Sequence, residues 1–291
     1  MAPSHLWQPR HGFSLLELSI VLVILGLLTG GILAGRSLIH AAELRSVSVD
    51  LGRYKTAMVS FRDKYLYLPG DMPNAVRFWG AQAGGTLDGT STACLALDYT
   101  TPSTDKATCN GNGDGFIAYS ASAFNMNQME SYRLWQHLAN AGLIEGQYTG
   151  VNNSAILSNA LRWGTNAPAS RLQNAGYVVS YNPSNWEVTA GLGAPGATYF
   201  METKYDRNIL MMATIPLDTS MGVAMPSRNV LSPAELWNID SKMDDGKAGQ
   251  GVVLATGPFG GSTCTTSSNV NGLYNLQNAS KSCAMVYIIG L

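Results

Sequence analysis

A long apolar segment near the amino terminus dominates the pattern of hydrophobic and polar positions. Residues 13–35 contain one charged side chain, Glu17, in 23 positions. A helix rising about 1.5 Å per residue would span roughly 34 Å over this length, enough to cross a hydrocarbon core of about 30 Å. A cleaved secretory signal has an apolar region of only about 7–15 residues. We therefore expect residues 13–36 to remain in the mature protein as a membrane helix.

The pattern then becomes one-sided and stays helical. Apolar residues recur at spacings of three and four, which places them on one helical face: Leu44, Val47, Leu51, Tyr54, Met58, Phe61 and Tyr65. This predicts an amphipathic continuation of the helix over residues 37–68, ended by Pro69-Gly70-Asp71 and packed on a globular domain. A heptad coiled coil with a partner is the alternative.

Beyond residue 70 the chain consists of short segments separated by Gly, Asn, Pro and Ser. Alternation and β-branched content predict strands at residues 177–181, 186–189, 198–202, 209–214, 252–255 and 285–289. Helices are predicted at residues 128–141, at 154–162, and from Ser232, where Ser can cap, Pro233 can occupy the first turn and Glu235 can reach back. The predicted fold is α+β: a long helical spine packed on an antiparallel sheet, with residues 69–291 as one head.

Composition narrows the functional classes. Charged residues make up 13% of the chain, against about 25% in typical soluble domains, and 18 Lys plus Arg balance 19 Asp plus Glu. No basic field exists to hold nucleic acid, so we expect no nucleic-acid partner. Low charge together with 31 glycines favours a protein that works outside the cytoplasm.

Glu17 is the unusual residue of the apolar segment. A carboxylate near the bilayer centre costs about 2.5–3.5 kcal/mol, and less at the end of a helix. The side chain either reaches the membrane interface or meets a cation. The residues alone leave both interpretations open.

The string Gly12-Phe13-Ser14-Leu15-Leu16-Glu17, followed by the apolar run, resembles the N-terminal signature of type IV prepilins and type II secretion pseudopilins. The resemblance implies that residues 1–12 are a leader, that prepilin peptidase cuts between Gly12 and Phe13 on the cytoplasmic side, and that the amine of Phe13 is then methylated. It also implies a single-pass subunit of a bacterial inner membrane with its head in the periplasm. That subunit would join other pilin or pseudopilin subunits in a filament, which for a pilus reaches the cell surface.

The same resemblance gives Glu17 a partner, the mature amino terminus of a neighbouring subunit in the filament core. A buried pair costs desolvation, so its main effect would be to fix axial register. The chain departs from many type IV pilins because residues 13–68 contain no Pro that could kink the apolar helix. Four glycines stand in the apolar helix instead, and these permit local melting or close helix packing: Gly26, Gly30, Gly31 and Gly35. Arg10 and Arg36 flank the helix, so charge alone does not set its orientation.

The four cysteines form two couples that are close in sequence. Pairing Cys94 with Cys109 and Cys264 with Cys283 is the simplest of three connectivities, and each bridge would contribute about 3 kcal/mol. The second couple resembles the disulfide-bounded loop of type IV pilins. Free buried thiols are the alternative.

Two acidic turns are candidate calcium sites. Residues 110–117 are similar to the first half of an EF-hand loop, with Asn110, Asn112 and Asp114 as oxygen donors, but Ala121 stands where the closing acid belongs. The second turn offers Asp240, Asp244 and Asp245, and some pseudopilins carry calcium in such loops. Asn/Asp/Gly turns without metal are the favoured interpretation. No other cofactor is expected.

No catalytic constellation is evident. Residues 191–196 fit G-x-G-x-x-G, but Pro195 argues against the helix that a dinucleotide site needs. His40 and His137 are the histidines that follow the leader, and both are interpreted as surface or packing residues. A minor or specialised structural subunit is therefore the leading function, with a tip adhesin using exposed aromatic residues second and a membrane-tethered enzyme third. The sequence does not distinguish a type IV pilus from type II secretion.

Overall fold

The computed structural model describes residues 14–82, 106–117, 130–151, 162–182, 207–218, 225–227, 230–256, 263–267 and 271–291. These residues form an α+β fold with a long amino-terminal helix and an antiparallel sheet, as predicted. The chain divides into two units, Met1–Glu43 and Leu44–Leu291.

Helix α1 runs without interruption over Leu15–Tyr65. The four glycines of its apolar half lie inside the helix, so the local melting that they permit is not present. Thr29 Oγ1 donates to the carbonyl of Leu25 at 2.8 Å, which satisfies its hydroxyl within the apolar stretch. The helix ends where Leu66 adopts a left-handed φ of 65°.

The second unit begins with the carboxy-terminal part of α1, and its predicted apolar face is confirmed. Five residues of that face are buried: Val47, Leu51, Tyr54, Met58 and Phe61. Leu44 and Tyr65, at the two ends of the face, are partly buried against the same core. The chain's own core therefore covers the face that a coiled-coil partner would have needed.

The sheet comprises β1 (Ala175–Asn182), β2 (Arg207–Asp218), β3 (Met225–Ser227), β4 (Val253–Thr256) and β5 (Ala284–Ile288). Its order is β1-β2-β5-β4, with β3 paired to the far end of β2, and every pairing is antiparallel. The strands predicted at 177–181, 209–214, 252–255 and 285–289 are confirmed. Those predicted at 186–189 and 198–202 lie outside the described residues. The pattern did not predict β3, a three-residue strand that contains Pro226.

Within the part of the chain that the structure describes, three shorter helices accompany the sheet: α2 (Val76–Trp79), α3 (Glu130–Asn140) and α4 (Pro233–Met243). The predicted start of α4 is confirmed, because Ser232 and Glu235 form a reciprocal capping box and Pro233 occupies the first turn. Helix α3 confirms the prediction for residues 128–141 over the part that is described. Residues 154–161 lie outside the described residues, and α2 was not predicted.

Aromatic rings join three of these elements at the centre of the second unit. Tyr54 of α1 makes edge contacts with Trp135 of α3 and Tyr177 of β1, with ring centroids 5.0 and 5.2 Å apart. Such pairs contribute about 0.5–1.5 kcal/mol each beyond the area that they bury. The Tyr177 hydroxyl also donates to Asp50 Oδ2 at 3.1 Å.

Candidate functional site

The amino-terminal end of α1 is closed by a capping box. Ser14 N–H donates to Glu17 Oε2 at 2.9 Å, and Glu17 N–H donates to Ser14 Oγ at 3.2 Å. Two of the donors that a helix start leaves without partners are thereby satisfied. Glu17 was predicted either to reach the membrane interface or to meet a cation, and this bond was not predicted, although the S-x-x-E spacing is its signal.

The apolar part of α1 is exposed throughout. Every large apolar side chain over residues 15–28 is at least half exposed, and Leu15 reaches 88%. Among the described residues, α1 is the helix long and apolar enough to cross a membrane by length and composition. A surface of this size in water marks a membrane or protein contact.

The glycines of this helix are positions on that surface without a side chain. A Cβ built on Gly26, Gly30, Gly31 or Gly35 would meet nothing within 4 Å. Small residues at such positions let the backbones of two helices approach closely in a membrane. Packing inside the subunit therefore does not require glycine at these four positions, and they are available for packing against another helix.

The loop with oxygen side chains at residues 110, 112 and 114 encloses a carboxylate. Asp71 Oδ1 accepts from Gly113 N–H at 2.6 Å and from Asp114 N–H at 3.1 Å, and Oδ2 accepts from Gly115 N–H at 2.8 Å. Burial raises the pKa of Asp71 to about 6, although the three backbone donors oppose the rise. Gly111 is required at this close approach, because a Cβ there would lie 2.3 Å from the Asp71 backbone.

The predicted calcium donors of this loop therefore have local partners. Asn110 Oδ1 accepts from Val76 N–H at 3.0 Å, and Asn112 Nδ2 donates to Asp114 Oδ2 at 2.7 Å. A carboxylate oxygen from each of Asp71, Asp114 and Glu130 lies within 4.8 Å of the others, so these three could hold a metal. Asp71 and Glu130 were not identified in the sequence, where Asp71 was considered only as part of a helix stop.

His137 belongs to a buried network beside this loop. Its Nδ1 accepts from Gly70 N–H at 2.9 Å, which leaves Nε2 to carry the proton 3.0 Å from Thr108 Oγ1. Thr108 Oγ1 in turn donates to Gln136 Oε1 at 2.6 Å. Burial and the nearby Arg133 lower the pKa of His137 to about 3, so it stays neutral. This arrangement supports the packing interpretation of His137. His40 lies beside Glu43 on the surface of α1.

The second acidic cluster follows α4, and the structure brings its three residues together. Oxygens of Asp240, Asp244 and Asp245 lie within 4.8 Å of one another and could hold a metal. Each already accepts from its own surroundings: Asp240 from Gly246 N–H, Asp244 from the N–H groups of residues 252 and 253, and Asp245 from Lys247 N–H at 2.9 Å. Burial and the two neighbouring acids raise the pKa of Asp240 to about 6.

A disulfide joins Cys264 to Cys283, as predicted. Both cysteines are buried, and the Cys283 N–H donates to the carbonyl of Leu231 at 2.9 Å, next to the start of α4. Within the bridged segment, Tyr274 Oη donates to Asp240 Oδ2 at 2.7 Å. The bridge therefore closes a loop that reaches the second acidic cluster. Cys109 is also disulfide-bonded, and its predicted partner Cys94 lies outside the described residues.

Other predicted positions also lie outside the described residues. Gly12 and Phe13, at the predicted cleavage point, are among them, as is the glycine-rich string at 191–196. The structure therefore does not test cleavage between Gly12 and Phe13, which stays a prediction.

Comparison with protein families gives one match. Residues 7–33 match the model of the prokaryotic N-terminal methylation motif, which is the prepilin-type cleavage and methylation segment. Comparisons with curated proteins and with solved structures give no match. The motif covers the predicted cleavage point, the capping box and most of the exposed apolar stretch, and it indicates a precursor of the type IV pilin or pseudopilin kind.

Proposed function

We propose that this chain, which carries a prepilin-type methylation segment at residues 7–33, is a structural subunit of a type IV pilus or a type II secretion pseudopilus. Prepilin peptidase cuts it between Gly12 and Phe13, and the new amine of Phe13 is methylated. One observation carries the proposal: the matched segment leads directly into a helix whose apolar side chains are exposed over residues 15–28.

In this proposal the exposed apolar surface is covered first by lipid and later by other subunits. Before assembly, a bacterial inner membrane covers residues 15–35, and the head lies in the periplasm. After assembly, the apolar helices of other subunits replace the lipid. The glycines at residues 26, 30, 31 and 35 support this exchange, because they let neighbouring helices approach without displacing any side chain of their own subunit.

Glu17 supplies the polar contact of that helix bundle. In the proposal its carboxylate pairs with the mature amine of a neighbouring subunit. A slip of the helices along their axis would leave both charges unpaired among apolar side chains, so the pair selects one register. It contributes less to the overall free energy of assembly, because both ions lose water.

The size of the head supports a minor or specialised subunit. Unit Leu44–Leu291 contains most of the chain, and a head of this size suits a rare or terminal position better than a compact repeating one. Immunogold labelling of native filaments tests this part of the proposal. Labels confined to the tip or found at rare positions support it, and dense labelling along the whole shaft contradicts it.

Mass spectrometry of the amino terminus tests the central proposal. The chain isolated from native membranes should begin at Phe13 and carry one added methyl group. The same chain from a strain without prepilin peptidase should retain residues 1–12, and a Gly12→Val variant should remain uncut. A native chain that keeps its original amino terminus would refute the proposal.

A pair of variants separates processing from assembly. Glu17→Ala should be cut normally but should enter filaments far less often than the wild type. Ser19→Ala changes an exposed polar residue two positions along the same helix and serves as the matched control. If Glu17→Ala enters filaments as often as Ser19→Ala, the proposed pairing of Glu17 is refuted.

A further inference from the structure

Two Asn-Gly pairs follow one another in the loop that encloses Asp71: Asn110-Gly111 and Asn112-Gly113. An asparagine before glycine is open to self-modification, because glycine has no Cβ to hinder its nitrogen from attacking the asparagine side chain. The attack forms a five-membered imide ring and releases ammonia, and water then opens the ring. The two pairs share this local chemistry, so a difference in their reactivity would come from the fold.

The nitrogen of Gly113 lies against a carboxylate. Its N–H donates to Asp71 Oδ1 at 2.6 Å and also to the carbonyl of Asp71 at 2.9 Å. A general base must lie within about 2.6–3.2 Å of the nitrogen whose proton it takes, and Asp71 Oδ1 meets this condition. An open pocket beside the loop is lined in part by Asp71, Gly113 and Asp114, so water reaches the reacting groups.

The side chain of Asn112 is folded toward that nitrogen. Asn112 Oδ1 accepts from Asp114 N–H at 3.0 Å, and Asn112 Nδ2 donates to Asp114 Oδ2 at 2.7 Å. The first bond closes a ring of atoms that includes the Gly113 nitrogen, so the carboxamide is held on the side of the chain where this nitrogen lies. The same N–H can stabilise the negative charge that develops on Oδ1 during the attack.

The preceding pair has different contacts. Asn110 Oδ1 accepts from Val76 N–H at 3.0 Å, which ties this carboxamide to another part of the head. Gly111 N–H donates to the carbonyl of Met72 at 2.9 Å, and a peptide carbonyl is a far weaker base than a carboxylate. A Cβ on Gly111 would lie 2.3 Å from the Asp71 backbone, so close packing also opposes the movement that ring closure requires.

We propose that Asn112-Gly113 is a self-modifying site, where the folded chain converts the asparagine to aspartate or isoaspartate. Asp71 is the general base, and Asp114 holds the carboxamide. The Gly113 nitrogen forms a bond to Asn112 Cγ and gives its proton to Asp71. The Cγ–Nδ2 bond breaks, and Nδ2 leaves as ammonia with a proton that Asp71 returns through water. A second water opens the imide, so the net reaction consumes one water and releases one ammonia.

The product changes the charge of the loop. An anionic oxygen replaces the Nδ2 donor that lies 2.7 Å from Asp114 Oδ2, and two carboxylates so close repel each other. The modified loop should therefore hold Asp71 less tightly. The reaction is irreversible and adds one negative charge, so it records the age of each head. This inference goes beyond the proposed function and does not require that the chain enters a filament.

Water labelled with ¹⁸O makes the conversion visible, because each converted side chain takes one oxygen from the solvent. The full-length chain is purified in detergent, kept folded at pH 7 in labelled water, digested and analysed by tandem mass spectrometry. Asn110 is the internal control, and the same measurement in urea removes the influence of the fold. We expect Asn112 to react faster than Asn110 by roughly tenfold or more in the folded chain, and at a similar rate in urea. The folded chain should also convert Asn112 faster than the unfolded chain does.

Two variants test the assigned roles. Asp71→Asn keeps the size of the side chain and removes the base, so it should lower the rate at Asn112 to that of Asn110. Asp114→Asn changes an exposed residue of the loop and should lower the rate at Asn112 by a smaller factor. Circular dichroism checks that each variant is folded. If Asp71→Asn does not fold, the comparison of the folded wild type with the wild type in urea still decides the inference.

Three results would overturn the inference. The first is an equal rate at Asn112 and Asn110 in the folded wild type. The second is a faster reaction of Asn112 in urea than in the folded chain, because the fold would then protect the asparagine. The third is an unchanged rate at Asn112 in folded Asp71→Asn. None of these results bears on cleavage after Gly12, so the proposed function is tested separately.

Discussion

Tyr274 and Asp240 join the disulfide-bounded segment to the end of α4. Tyr274 Oη donates to Asp240 Oδ2 at 2.7 Å, and both residues are buried. Burial and the charge of Asp240 raise the pKa of Tyr274 far above its ordinary value, so the hydroxyl always carries its proton. The bond is thus a hydrogen bond to an acceptor that can ionise, and it lies beside two further acids.

Removing this donor should destabilise the head. Tyr274→Phe leaves a buried carboxylate with one donor fewer, which costs about 1–3 kcal/mol. Urea unfolding of the oxidised full-length chain at pH 7 measures the change. Tyr67→Phe, at a more exposed tyrosine (37% exposed), is the matched control. Equal stability of the two variants would show that the bond contributes nothing.

Asp240 should make the head less stable as the pH rises. Its pKa in the folded chain is about 6, above the ordinary value of 3.8, because of burial and the repulsion of Asp244 and Asp245. The proton that the fold retains stabilises it fully below about pH 4, and this contribution disappears as the pH passes 6. The contribution of this group reaches up to about 3 kcal/mol.

An Asp240→Asn variant checks this sign. Asn still accepts from Tyr274 but does not ionise. Between pH 4 and pH 7 the wild type should lose stability relative to the variant, measured by urea unfolding at each pH. Other titratable groups, such as Asp71 and Lys247, are the same in both proteins. The difference in their pH dependence therefore reports the ionisation of Asp240. A constant difference across this range would contradict the raised pKa.

Gly111 should tolerate no side chain. A Cβ there would lie 2.3 Å from a backbone atom of Asp71, so Gly111→Ala must displace the loop from the carboxylate that it encloses. We expect a loss of several kcal/mol, or failure to fold. Gly52→Ala is the control, because its Cβ meets nothing within 4 Å and lies inside α1, where Ala should add about 0.5–1 kcal/mol. Thermal melting of both variants measures the contrast.

A titration can decide whether either acidic cluster binds calcium. Each acid of the two clusters accepts at least one hydrogen bond from the chain itself, which agrees with metal-free turns. We therefore expect millimolar calcium and chelator to leave the melting temperature unchanged. Binding at a concentration ten times above the Kd would add about 1.4 kcal/mol and raise that temperature visibly. A rise that Asp244→Asn abolishes would identify the second cluster as a site.

The elements that depend on local pattern could be predicted from the sequence. The buried face of α1 follows from spacings of three and four, and the start of α4 follows from Ser232, Pro233 and Glu235 within one turn. The prepilin-type segment was equally clear, since its information is contained in consecutive residues. In each case the physical cause acts over a few positions.

The features that the sequence did not reveal depend on distant contacts. Asp71 meets the N–H of Gly113 from 42 residues away, so nothing next to Asp71 announces its role. The oxygen side chains of the loop are visible in the sequence, whereas the backbone N–H groups with which it holds the Asp71 carboxylate are not. Strand β3 escaped prediction because its pairing with β2, and not its own three residues, makes it a strand.

The division of α1 between two units decides where the chain could be shortened. The residues that α1 buries, from Val47 to Phe61, belong to the unit that begins at Leu44. A fragment starting at 44 would keep every one of them, whereas a fragment starting at 66 would lose the ring of Tyr54 and the apolar groups around it. The head therefore depends on residues 47–61 of the helix whose upstream part we propose as a membrane anchor, so a head fragment without that anchor must begin upstream of Val47.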